Sequence, residues 1–148
     1  MNYIGIIPAR YASTRFPGKP LAMLGGKTVI QRVYEQVAGA VDDVLVATDD
    51  ERILKAVEGF GGKAVMTRAD HKSGTDRCYE AYVSQGKPYD VVVNIQGDEP
   101  FIQPQQLDAI KACFEDPQTE IATLVKPFTS ADGWSALENV NSPKVVGN

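Results

Sequence analysis

The sequence is poor in the features that mark several common protein classes. It has two cysteines, Cys78 and Cys113, without C-x-x-C spacing. That excludes a disulfide framework or a cysteine-built zinc site and predicts two small, buried apolar side chains. His71 is the only histidine; it stands in a polar loop and is expected to make a structural hydrogen bond rather than act as a base. No apolar run approaches the length of a membrane span. The opening MNYIGIIPAR is too short in apolar residues for a signal segment and is interrupted by Pro8 and Arg10, which leads us to expect a cytoplasmic protein with no membrane association. Internal repeats, low-complexity tracts and interior linkers are also missing. With 148 residues, the chain reads as one domain, 1–148, with a hydrophobic core.

Acidic residues are missing from the start of the chain. Glu35 is the first, whereas Arg10, Arg15, Lys19, Lys27 and Arg32 all precede it. The net charge is nonetheless −4, which argues against a general nucleic-acid binder. A basic island on an acidic chain suits a small anionic ligand.

What is present is an alternation of short apolar runs and helical periodicities. Tyr3–Ile7 reads as a buried strand ended by Pro8. After Gly25 and Gly26, the positions Val29, Ile30, Val33, Tyr34 and Val37 recur at helical spacing, with Thr28 as N-cap. Val44–Ala47 reads as a second strand, and Asp49 as the cap of a helix carrying Ile53, Leu54 and Val57 that stops at Gly59–Gly62. Ala64–Met66 is a third strand, and a helix is expected over about 76–84. Tyr89–Ile95, the most apolar strand, suits a central position covered on both faces. Pro104 fits the first turn of a helix with Leu107, Ile110 and Phe114. Ile121–Val125 reads as a fifth strand, and Lys144–Val146 as the start of another. The pattern predicts an α/β fold with a doubly wound, mainly parallel sheet.

In such sheets ligands bind beyond the carboxyl ends of the strands, where the strand order reverses. With the order 3-2-1-4, the crevice lies between the loop PARYASTRFPGKP and the turn QGDEPF, so that Arg10, Arg15 and Lys19 face Asp98. Cations about 4 Å apart repel by roughly 4 kcal/mol at an effective dielectric near 20, so a polyphosphate is their natural counter-charge. Arginine offers phosphate a planar fork and lysine a mobile point charge. Ser13, Thr14 and the amides near Gly18 can add hydrogen bonds. Asp98, after an apolar strand, can hold Mg²⁺ bridging the phosphates, whereas Glu99 reads as a solvated turn acid. GGKT does not complete a Walker A loop, because the first glycine of that motif would fall on Leu21.

The segments IIPARYASTRFPGKPL, VATDD, MTRADHKSGTDR and VVNIQGDEPFI, in this order, resemble the CMP-KDO synthetases, or 3-deoxy-manno-octulosonate cytidylyltransferases, over the N-terminal part of that family. The resemblance implies a Rossmann-like nucleotidyltransferase domain. It implies the joining of CTP to the sugar acid KDO, giving CMP-KDO and pyrophosphate for lipopolysaccharide synthesis. It would place Arg10 and Lys19 on the triphosphate with Arg15 assisting, and Asp98 on Mg²⁺. Ser73, its neighbours and Gln96 would contact the cytidine, and Pro8 and Ala9 would present backbone groups to the base. Phe16 stands where the family carries leucine. The family's sugar-binding residues, a second metal-binding aspartate and its homodimer-forming region lie beyond the part matched here, so this chain is expected to bind CTP weakly without turnover.

Two other readings stay open. One is a related synthetase for sialic acid or an amino-sugar analogue of KDO. The other is a non-catalytic nucleotide-binding module, against which Asp98 speaks, because simple sensing needs no metal aimed at the phosphates.

Overall fold

The computed structural model describes residues 1–145. The strands are β1 (Tyr3–Ala9), β2 (Met23–Leu24), β3 (Lys27–Thr28), β4 (Asp43–Thr48), β5 (Ala64–Met66) and β6 (Val91–Asn94). The helices are α1 (Val29–Ala38), α2 (Glu51–Gly59), α3 (Gly74–Ser84), α4 (Pro104–Cys113) and α5 (Gly133–Glu138), with a 3-10 turn at Lys19–Leu21. The chain divides into two compact units, residues 1–108 and 109–148.

In the first unit four parallel strands lie in the order β5-β4-β1-β6, which is the expected 3-2-1-4 order of the longer strands. One face of the sheet buries Ile4, Ile6, Leu45 and Ala47 against Cys78 and Ala81 of α3. Ile30, Val33 and Val37 of α1 and Ile53 and Val57 of α2 are fully buried, and each such aliphatic side chain contributes about 1.5–3 kcal/mol through burial. Thr28 caps α1, accepting from the Gln31 amide at 3.3 Å. Helix α2 is capped by Asp50, which accepts from the Arg52 amide at 2.9 Å, and not by Asp49, whose carboxylate is engaged by Arg77.

The sequence pattern misreads several strand boundaries. Pro8 lies inside β1, opposite Ala47. The Ile95 amide donates to the Ile6 carbonyl at 2.9 Å, so Ile6, and Pro8 two residues on, turn their peptide groups to the β6 side. Strand β6 ends at Asn94, so the missing Pro8 N–H breaks no ladder bond. The β6 strand is shorter than expected and, among the described residues, is an edge rather than a centre. Among the described residues it pairs with β1 alone, and Val91 and Val93 are buried while Val92 and Asn94 are exposed. Met23–Thr28, to which the sequence pattern assigns no strand, forms the β2–β3 hairpin. Its turn residues Gly25 and Gly26 have φ of 60° and 82°, values that side-chain-bearing residues avoid.

The second unit contains the end of α4 and α5, and among its described residues no strand. Ile121–Val125 is irregular, with Ile121 89% exposed, and residues 143–145 form no strand, while Val146 lies outside the described residues. Asp132 accepts from the Thr129 amide at 2.7 Å. The cysteines also diverge. Burial pushes the Cys78 thiol up to about 12, which makes it inert, but Cys113 is exposed, contrary to the buried reading. No helix among the described residues is long and apolar enough to cross a membrane.

A polar staple closes the sheet end opposite the crevice. Asp43 accepts from Lys63 Nζ, Lys87 Nζ and the Tyr89 hydroxyl, each at 2.8 Å. The bond from Lys63, followed by those from Lys87 and Tyr89, holds its carboxyl far below the usual carboxylate range. A depressed folded value adds stability that is complete above the unfolded value near about 3.9 and is lost as pH falls towards the folded one. Asp43→Asn is therefore expected to lower stability by about 1–2 kcal/mol at pH 7. In urea melts across pH, its deficit should narrow progressively below about pH 4. A deficit constant with pH would show that the charge is not responsible.

Candidate active site

The carboxyl ends of β1 and β6 and the N-terminus of α3 enclose a cavity of about 280 Å³ within the first unit. This lies near the lower end of small-molecule sites. Strand β1 supplies Pro8 and Ala9, and the loop after it Arg10, Ser13 and Lys19. The opposite wall is Gln96, Gly97 and Asp98, in the turn after β6. His71, Lys72, Ser73, Gly74 and Arg77 form the remaining side. The crevice is therefore where the strand order predicts it; Pro8, Ala9, Arg10, Ser13, Lys19, Ser73, Gln96 and Asp98 line it, whereas Thr14, Arg15 and Gly18 do not.

Across the cavity, Lys19 Nζ lies 3.3 Å from Asp98 Oδ2, so a cation and an acid 79 positions apart in sequence meet as expected. Their side chains are 44% and 59% exposed, so both remain available to a ligand. Close backbone packing brings the walls together. A Cβ on Gly97 would lie 2.7 Å from the Pro8 carbonyl oxygen, and only glycine permits that approach.

The loop after β1 is ordered by its own groups. Ser13 Oγ accepts from the amides of Arg15 at 3.3 Å and Phe16 at 3.4 Å, so this hydroxyl shapes the loop while lining the cavity. Gly18, at φ 71°, donates its amide to the Tyr11 carbonyl at 2.7 Å. Arg15 is exposed and lies outside the cavity wall. Ser73 is the N-cap of α3, accepting from the Asp76 amide at 3.1 Å and donating to Asp76 Oδ2 at 2.8 Å. The positive end of that helix therefore faces the cavity and favours an anion there.

The sequence reading missed Arg77. It is 1% exposed, and its Nη1 donates to Thr67 Oγ1 at 2.5 Å and its Nη2 to Asp49 Oδ2 at 3.3 Å. The available signal was a cation placed on the apolar face of α3, one position before Cys78. His71 makes the structural hydrogen bond expected of it, to Glu80 Oε2. That bond, with the Arg68 amide assisting, holds the Glu80 carboxyl below its ordinary value.

Residues 4–146 match the cytidylyltransferase family model. The chain is 76% identical, over its whole length, to 3-deoxy-manno-octulosonate cytidylyltransferase of Bacteroides thetaiotaomicron, of which it spans 59%. It is 54% identical over 143 residues to the protein of the same name from Porphyromonas gingivalis, spanning 97% of this chain and 56% of that one. A solved CMP:2-keto-3-deoxy-manno-octonic acid synthetase complexed with CTP superposes with a TM-score of 0.73 at 46% identity, covering 80% of this chain and 49% of that one. The fold is the α/β nucleotidyltransferase type, and the chain belongs to the cytidylyltransferase family.

Proposed function

We propose that this chain carries the CTP-binding part of a 3-deoxy-manno-octulosonate cytidylyltransferase, which joins CTP and KDO to give CMP-KDO and pyrophosphate. The carrying observation is the Lys19–Asp98 pair, set across a cavity at the strand-order reversal. A basic loop opposite one carboxylate suits a nucleoside triphosphate accompanied by a divalent cation, since the basic groups meet phosphate oxygens and the carboxylate would meet the metal. The similarity to proteins of that name favours CTP and KDO over the substrates of related synthetases. A role in lipopolysaccharide synthesis in the cytoplasm follows from the same reading.

In this reading Arg10 and Lys19 grip the triphosphate, with Lys72 contributing from the side of the cavity formed by residues 71–77 and Arg15 assisting from outside the cavity wall. Pro8, Ala9, Ser73 and Gln96 face the cytidine, while Ser13 braces the loop. The sugar's anomeric hydroxyl oxygen forms a bond to the α-phosphorus as the bond to the departing pyrophosphate oxygen breaks. The hydroxyl proton is released. The chain's contribution is to align the triphosphate and neutralise developing charge through Lys19 and Arg10.

Asp98 is the residue that would hold a magnesium ion. Among the described residues no group of three or more acidic, histidine or cysteine side chains could hold a metal alone. A single carboxylate fits an ion that takes its other oxygens from phosphates and water. When bound, the ion supplies charge neutralisation on the phosphate oxygens.

Calorimetric titration of CTP with and without Mg²⁺ tests this reading. Mg²⁺ is expected to tighten CTP binding on the order of ten-fold in the unaltered chain and to have little effect in Asp98→Asn. An equal Mg²⁺ response in both proteins would contradict it and favour a simple nucleotide-binding module.

A further inference from the structure

Tyr11 and Arg52 do not line the site described above, yet Tyr11 stands in its loop between the lining residues Arg10 and Ala12. The Arg52 guanidinium carbon lies 3.3 Å from the centre of the Tyr11 ring. Arg52 is itself tethered: its Nε and Nη2 donate to Asp50 Oδ1 at 3.0 Å and Oδ2 at 2.7 Å. Asp50 is fixed in turn as the N-cap of α2. Gly18 packs on the same tyrosine so closely that a Cβ there would lie 2.9 Å from a ring carbon. The Gly18 amide also donates to the Tyr11 carbonyl at 2.7 Å. Both ends of the 11–18 loop are thus clasped at one residue, and that residue is held from outside by the start of α2. The loop's flanks carry Arg10 and Lys19.

We infer that Tyr11 and Arg52 form a buckle that holds the phosphate-gripping loop in its binding shape. The inference rests on the proposed CTP reading for its consequence, though not for its geometry. A loop already closed pays less ordering entropy when it meets a triphosphate. The contact joins a cation to the face of an aromatic ring, and the bidentate bonds to Asp50 fix the plane of the guanidinium. Tyr11 and Arg52 are positioning residues, because neither reaches the cavity wall.

Two readouts on the intact chain separate this from a general packing role. Trypsin cleavage after Arg15, without nucleotide, reports the closure of the loop. Calorimetry with CTP and Mg²⁺ reports its consequence. Arg52→Ala and Tyr11→Ala are expected to speed that one cleavage several-fold and weaken CTP binding by about three- to five-fold, at an unchanged thermal midpoint. Tyr11→Phe, which keeps the ring, should match the unaltered chain in both readouts. Unchanged cleavage and affinity in Arg52→Ala would overturn the buckle. Weaker CTP binding with unchanged cleavage would overturn it too, because Arg52 would then touch the ligand directly. A lower midpoint with faster cleavage throughout the chain would reduce the contact to ordinary packing. If the unaltered chain binds no CTP, the proposed function fails, and the cleavage rates still decide whether the buckle orders the loop.

Discussion

Replacing Lys19 with alanine is expected to weaken CTP binding by about 30- to 150-fold, from the loss of roughly 2–3 kcal/mol of charge-assisted hydrogen bonding. Two effects act in the same direction. The variant removes a cation from the loop, and it exposes the Asp98 carboxylate, 3.3 Å away, to the triphosphate without its partner. Because both side chains are largely solvated, the pair itself contributes little to folding, about 0–1 kcal/mol. The thermal midpoint should therefore stay close to that of the unaltered chain while affinity falls. Lys19→Arg should recover part of the affinity, since it restores charge but not the compact ammonium. A Lys19→Ala chain that binds CTP as tightly as the original would place the triphosphate elsewhere.

The second large effect concerns stability. Arg77, on the cavity wall, is almost fully buried, with Asp49 and Thr67 as partners. Asp49→Ala leaves a buried guanidinium without its counter-charge, which costs about 3–5 kcal/mol. For a domain of this size the midpoint should fall on the order of 10 °C. Arg77→Met should cost less, because it removes the charge that needs compensation and fills the volume with apolar atoms. A milder loss in Asp49→Ala than in Arg77→Met would show that the arginine's packing, and not its charge, is what matters.

Much of the site was legible because its signals are local. An acid-free stretch with Arg10 and Lys19, a turn carrying Asp98, and strands alternating with helices were enough to place those residues around one crevice. Thr28 was readable as a cap because its hydroxyl acts within three residues. The errors arose where distant partners decide the outcome. Pro8 reads as a stop, but whether it breaks a ladder depends on where β6 ends. Tyr89–Ile95 reads as a central strand from its apolar run, yet its partners set its exposure. Ile121–Val125 has strand composition and finds no strand partner among the described residues. Arg77 was passed over because one arginine on a helix is ordinarily solvated, and only the fold brings Asp49 and Thr67 to it. The Tyr11–Arg52 contact, between the loop and a different helix, left no trace in either segment.

The most direct measurement is a set of calorimetric titrations of the chain with CTP, UTP, ATP and GTP in the presence of Mg²⁺. Binding of CTP at least ten-fold tighter than the other three is the expected result, as roughly 1.4 kcal/mol of discrimination by groups facing the base would give. Equal affinities for all four, or no binding of CTP, would contradict the assignment of the cavity between β1 and β6 as a cytidine triphosphate site.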